Sequence, residues 1–280
     1  MGDLGRDTAV EGSDGHYRGT LSKEWEIWGP MGGYLASFAM RAAGAESSFA
    51  KPASFFCHYL GVAAFEAIDI TVDKRRAGRN AEALRVEITQ GDRTIMDANV
   101  WCVADVDGLE HELTAPPDVA GPDGVPSFEE LFADDPDAGP PFPFWNNFEA
   151  RPLDFRKEWP PPEALPPVFQ EWLRFVPRST FDDPWVDACR ALICVDVVSW
   201  PAASRPHMYK QPNIIAPSMD LYVAFHDAAP ADPWLLLDGH STWAAGGLMN
   251  WTGNLWSSER RLVASGMGQL LCRTVPTPAP

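Results

Sequence analysis

The sequence predicts an α+β protein in which one unit, an antiparallel sheet wrapped around a buried helix, occurs twice. Three observations carry this. Two stretches place apolar residues at helical spacing with almost no charge, which marks helices covered on all sides. Each is followed by short segments in which apolar and polar residues alternate, separated by turn residues, as antiparallel strands with one dry face require. A run rich in Pro, Gly and Asp divides the two sets, and 280 residues suffice for two domains of ordinary size.

Residues 1–15 are acidic and polar and read as a flexible lead. His16 to Trp25 reads as a strand and a turn. Beyond Pro30, Gly32 and Gly33, the residues Tyr34, Leu35, Phe38, Ala39, Ala42 and Ala43 recur at helical spacing. Ser54 to Val103 reads as a four-strand meander. Ile68, Ile70 and Val72 alternate with Asp69, Thr71 and Asp73, and Leu84, Val86 and Ile88 alternate with Arg85, Glu87 and Thr89. Ala104 to Pro143 is the divider, with one helical turn at Phe128 to Phe132. The expected organisation is therefore a first domain over 1–105, a linker over 106–141 and a second domain over 142–280.

In the second half, Phe144 to Arg151 and Phe169 to Val176 read as strands. Asp183 before Pro184 is a good helix start, and the following helix carries Cys189, Leu192, Ile193 and Val197 on one side, with only Asp187, Arg190 and Asp196 charged. Met219, Leu221, Val223 and Phe225 alternate with Asp220, Tyr222, Ala224 and His226. Trp234 to Leu237, Met249 to Trp256 and Arg260 to Arg273 complete a second meander, and Arg261 to Ala264 parallels Arg93 to Met96 in the first.

With 39 acidic against 22 basic residues, the net charge of −17 excludes nucleic acid and anionic membrane surfaces as partners. No run of about 18 uncharged apolar residues predicts a membrane span, and the N-terminus lacks the apolar core of a signal peptide. Five scattered cysteines with no CxxC pair point to a reducing cytoplasm and to no metal cluster. No GxSxG elbow and no cysteine in a charged setting is present.

Several residues carry chemistry. Asp220 is the ionised side chain of its strand. Ser241 and Thr242 follow the next strand, and a carboxylate and a hydroxyl on neighbouring strands can hold a water between them. Gly32 and Gly33 open a helix, leaving backbone N–H groups free for an oxyanion or allowing close contact with a sheet. Lys74, Arg75, Arg76 and Arg79 form the densest basic cluster, either a solvated hairpin tip or a contact for phosphates.

At this point the chain resembles the acyl-CoA thioesterases built from two fused hotdog domains, the thioesterase II type. The residues that carry the resemblance are Gly32-Gly33-Tyr34-Leu35-Ala36, Arg76-Ala77-Gly78-Arg79, Ser218-Met219-Asp220, Trp234 to Leu237, and Leu262-Val263-Ala264-Ser265. The resemblance implies two tandem hotdog domains, each a curved antiparallel sheet around a central helix. It implies hydrolysis of acyl-CoA substrates without metal or organic cofactor, and pairing into a homodimer or larger assembly. It also implies an Asp, a Thr or Ser, and a Gln that hold the attacking water. By position these fall on Asp220 and on Thr242, with Ser241 beside it. The Gln position is filled by Gly268, and Gln269 lies one residue later, so a bulge near Gly266 or Gly268 would be needed to bring it in. A hotdog pair that binds acyl-CoA without hydrolysing it is the alternative. A hydratase is disfavoured, because Asp182 to Asp187 lacks the His that such enzymes carry.

Overall fold

The computed structural model describes residues 1–135 and 139–275. The first half contains α1 (Leu4–Asp7), β1 (Glu11–Ser13), β2 (His16–Thr20), α2 (Gly32–Glu46), β3 (Lys51–Tyr59), β4 (Ala67–Ala77), β5 (Ala81–Gln90) and β6 (Arg93–Val103). After α3 (Phe128–Leu131) come β7 (Phe148–Pro152), β8 (Val168–Phe175), α4 (Pro184–Val197) and α5 (Ser199–Ser204). The second meander comprises β9 (Ile214–Ile215), β10 (Asp220–Phe225), β11 (Leu235–His240), β12 (Ala244–Ala245), β13 (Leu248–Ser257), β14 (Leu262–Leu271) and β15 (Arg273–Thr274).

Among the described residues, thirteen strands form one continuous sheet in the order β1-β2-β4-β5-β6-β3-β10-β14-β13-β11-β8-β7, with β12 on β13. The seam between the halves is β3 against β10, from Asp220 opposite His58 to Ala224 opposite Ser54. On either side of it the halves repeat in mirror order: β3-β6-β5-β4-β2 answers β10-β14-β13-β11-β8. Two hotdog units are thus joined edge to edge. Joining removes two exposed strand edges at once, and each unit keeps a helix against its concave face. Alternate residues of β5 (Leu84, Val86, Ile88) and of β10 (Leu221, Val223) are buried.

The helices run antiparallel. Arg41, late in α2, pairs with Asp183 at the start of α4 over 2.8 Å, while Gly33 lies against Leu192 and Ile193, late in α4. A Cβ at Gly33 would come within 2.6 Å of the Leu192 carbonyl oxygen, so only glycine permits this approach. The start of α2 therefore faces the end of α4.

Two expectations change. The N-terminal lead is ordered: Asp3 caps α1, Leu4 is buried, Arg178 forks onto the Asp3 carboxylate, and β1 pairs with β2. Its polar residues are used in caps and ion pairs rather than left in solvent. The strand bearing Asp220 and the strand that Thr242 follows are not neighbours either, since β14 and β13 lie between β10 and β11. The mirror arrangement requires this, because β3 and β4 are likewise separated in the first half.

Candidate active site

A cavity of about 580 Å³ opens where the start of α2 meets the end of α4 and the ends of β3 and β14. Its walls are aromatic. Trp28 meets Trp200 edge to face at 6.1 Å and Phe142 at 6.4 Å, and Trp145 stands on the same wall. Among the described residues, Asp196 and Arg273 are the only charged groups that line it.

Asp196 closes the inner end of the cavity. Its α-helix is otherwise apolar here, so the carboxylate is 4 % exposed and needs partners. Its Oδ2 accepts the Gly33 N–H at 2.8 Å, and its Oδ1 accepts the Ser218 hydroxyl at 3.2 Å. Burial raises its pKa to about 6, while those two donors hold it down. The Tyr59 hydroxyl is buried beside the Cys57 thiol and makes no hydrogen bond of sound geometry. Burial, above all, holds that phenol well above its usual pKa, so it stays a proton donor.

Gly32 lies between these groups. A Cβ there would fall 2.6 Å from Asp196 Oδ2 and 2.9 Å from Tyr59 Oη, so any other residue would fill the floor of the cavity. The first turn of α2 has unmatched N–H groups, as every helix start has. Gly33 donates to Asp196, Tyr34 to the Met31 sulfur at 3.3 Å, and Leu35 to the Met31 carbonyl at 2.9 Å. Among the described residues, nothing accepts from the Gly32 N–H. A free N–H at the positive end of a helix, a buried carboxylate and a spare phenol thus share one floor.

The mirror-related position is shut. Pro184 opens α4 and has no N–H to offer, Asp183 takes the Trp185 N–H at 2.9 Å, and the Trp185 indole packs where a Cβ of Gly44 would be. The start of the second helix is therefore closed as an oxyanion site.

Asp220 is half-buried and is not among the residues that line the cavity, although Met219, one residue before it, is. Three residues separate Ser218 from Tyr222, but only two separate their partners Leu270 and Met267, so Asp220 and Leu221 both oppose Gly268. This bulge turns Asp220 towards Gly268, and its Oδ1 accepts the Gln269 N–H at 2.9 Å. A Cβ at Gly268 would lie 3.1 Å from Asp220 Oδ1 and 3.0 Å from Trp251 Cζ2. An indole thus occupies the space where a side chain at 268 would point.

The remaining expected residues do not converge on Asp220. The bulge is in β10 and not in β14, whose register with β13 runs unbroken from Leu271 opposite Leu248 to Ala264 opposite Leu255. Gln269 consequently stays exposed, as Met267 does, and is not among the residues that line the cavity. The Thr242 hydroxyl accepts from the Asn250 amide at 3.2 Å, two strands from Asp220. Ser241 is buried and is tied by its N–H to the Pro167 carbonyl at 2.9 Å. Gly32 does line the cavity, and Gly33, packed against α4, reaches the site only through the N–H that it donates to Asp196.

Arg75, Arg76 and Arg79 stand at the β4–β5 tip, level with Lys51, whereas Tyr59 at the other end of β3 meets the cavity. Eight residue steps along a strand span about 26 Å. Arg75 is also paired with Asp73 at 2.6 Å. The structure does not bring this cluster to the cavity.

Asp196, Tyr59 and Ser218 were not expected at the site. A lone carboxylate near the end of an apolar helix is the signal that could have marked Asp196. Ser218 lies two residues before the expected Asp220, and nothing in the sequence distinguishes Tyr59.

Two central helices under one mirror-repeated antiparallel sheet, with one cavity at a helix start, define a double-hotdog protein. The family model described as acyl-CoA thioesterase N-terminal domain matches residues 21–103, and that of the C-terminal domain matches residues 122–271. The chain belongs to this acyl-CoA thioesterase family. It is similar to the solved acyl-CoA thioesterase II TesB2 of Mycobacterium marinum, at 22 % identity over 99 % of this chain and 100 % of that one, with a TM-score of 0.79. A tesB protein of Mycobacterium avium subspecies paratuberculosis shares 20 % identity over 96 % and 98 % of the two chains, with a TM-score of 0.76. A hotdog-fold protein of unknown function from Alicyclobacillus acidocaldarius shares 18 % identity over 98 % of each chain, with a TM-score of 0.77. These structural likenesses are of fold. Among the described residues, no helix is long and apolar enough to cross a membrane.

Proposed function

We propose that the protein hydrolyses acyl-CoA thioesters to a free acid and CoA, with the acyl group in the aromatic cavity and the thioester carbonyl at the start of α2. The observation that carries the reading is the shared floor: a buried carboxylate, Asp196, beside the unmatched Gly32 N–H. Water attacks the carbonyl carbon and gives a proton to Asp196, which is ionised above about pH 6. The oxyanion that forms accepts from the Gly32 N–H and is stabilised by the helix end, with the Tyr59 hydroxyl within reach of the same space. Collapse breaks the carbon–sulfur bond, and the departing thiolate takes the proton from Asp196. Atoms and charge balance without a cofactor.

Asp220 is the base in the rival assignment, and Gly268 in place of a Gln weakens it. The same glycine favours a second reading, a pocket that binds acyl-CoA and does not hydrolyse it. Mixing the protein with straight-chain and aromatic acyl-CoAs and a thiol reagent decides between the two. Thiol release with catalytic turnover is expected. Saturable binding with no release from any ester would leave only the binding protein.

A further inference from the structure

The short ribbon of β9 and β15 has a recess on each side. Ala216, Pro217, Leu271 and Arg273 face the large cavity. Pro212, Ile214 and Cys272 face a smaller recess of about 300 Å³, which Leu248 and Met249 floor and His207 and Lys210 border. Both recesses open at the end of the sheet where β14 leaves it.

Charge is unevenly spent in this chain. Carboxylates outnumber Lys and Arg by 39 to 22, and most arginines are paired with one. Among the described residues, several cations have no carboxylate partner, Arg76 and Arg79 included, and two of them, Arg273 and Lys210, border these recesses; Lys210 rests 5.3 Å from the neighbouring Tyr209 ring. Among the described residues, no carboxylate lines the small recess either. Unneutralised cations beside an apolar hollow, in a molecule of net charge −17, suit a ligand with a flat apolar face and phosphate groups.

Resting on the acyl-CoA reading, we infer that the small recess seats the phosphorylated nucleotide end of CoA. The pantetheine arm leaves the cavity past Arg273, whose guanidinium takes the phosphates on the ribbon's edge. Lys210 and His207 take the remaining phosphate charge. The adenine packs on Pro212, Ile214 and Met249. The volume is at the lower end of small-molecule sites, about 300–1,000 Å³. This assignment replaces the β4–β5 arginines, which lie at the far end of the sheet.

Adenosine 3′,5′-bisphosphate, titrated calorimetrically into the full chain, tests the site without any thioester. Wild type is expected to bind it in competition with CoA. The pair Arg273→Glu with Lys210→Glu is expected to weaken binding at least tenfold, and so is Ala245→Trp, which fills the recess without changing charge. Arg76→Glu, at the remote hairpin tip, is the control and should bind as wild type. Unchanged affinity in both the charge pair and Ala245→Trp, equal loss in Arg76→Glu, or no binding by wild type overturns the inference. Thiol release in wild type together with any of those results leaves the hydrolytic reading intact. Bisphosphate binding without thiol release does the reverse.

Discussion

Replacing Asp196 by Asn should change stability in a way that depends on pH. The carboxyl's pKa rises from 3.8 to about 6 on folding, about 2 units, because burial penalises the charged form. At about 1.4 kcal/mol per unit, the folded protein at neutral pH pays about 3 kcal/mol to keep Asp196 ionised. Below pH 3.8 the group is protonated in both states and the penalty vanishes. It builds between pH 4 and 6 and is complete above, so this group makes wild type less stable as pH rises through that window. Asn keeps an acceptor for the Gly33 N–H and an amide for Ser218, and has nothing to ionise. Urea unfolding of both proteins at pH 8 and pH 4.5 reads the difference. The advantage of Asp196→Asn over wild type should be larger at pH 8 than at pH 4.5, by about 2 kcal/mol. An advantage that does not change with pH would mean that Asp196 titrates as in water and is no buried base.

Three further outcomes are expected. Gly33→Ala should destabilise by about 1–3 kcal/mol, because its methyl group would meet the Leu192 carbonyl and the Ile193 Cα, which are backbone and yield little; a thermal melt like that of wild type would contradict the close helix contact. Gly268→Gln should lower stability rather than raise activity, since Trp251 fills that space; a rise in kcat would show instead that the Asp220 set needed only its third member. Tyr59→Phe removes a buried hydroxyl that has no hydrogen-bond partner, so it should leave stability unchanged or improved while lowering kcat, and an unaltered kcat would remove the phenol from the reaction.

The double-hotdog fold was legible because period and burial coincide in it. Alternation in Ile68 to Asp73 and in Met219 to Phe225 marks strands with one dry face, and the nearly chargeless Tyr34 to Ala43 marks a buried helix. What pairs with what was less legible. Sequence order suggests that the strands of Asp220 and Thr242 are adjacent, yet the mirror seam places two strands between them. The site was half legible. Gly32 and Gly33 announce a helix start that a ligand can approach, whereas Asp196 becomes notable only when α2 and α4 cross and its carboxylate meets the Gly33 N–H 163 residues away in sequence. The bulge at Asp220 depends on a one-residue mismatch between strands that local patterns do not record.

The most direct test is thiol release from one acyl-CoA by wild type, Asp196→Asn and Asp220→Asn at pH 7.5, with binding of a non-hydrolysable thioether analogue measured alongside. The account predicts that Asp196→Asn loses about 10²–10⁴ in kcat while still binding the analogue, the range for a general base. Asp220→Asn should stay within about tenfold of wild type, since its carboxylate is taken up by the Gln269 N–H outside the cavity. Near-normal turnover in Asp196→Asn, with turnover abolished in Asp220→Asn, would contradict the account and move the base to the strand.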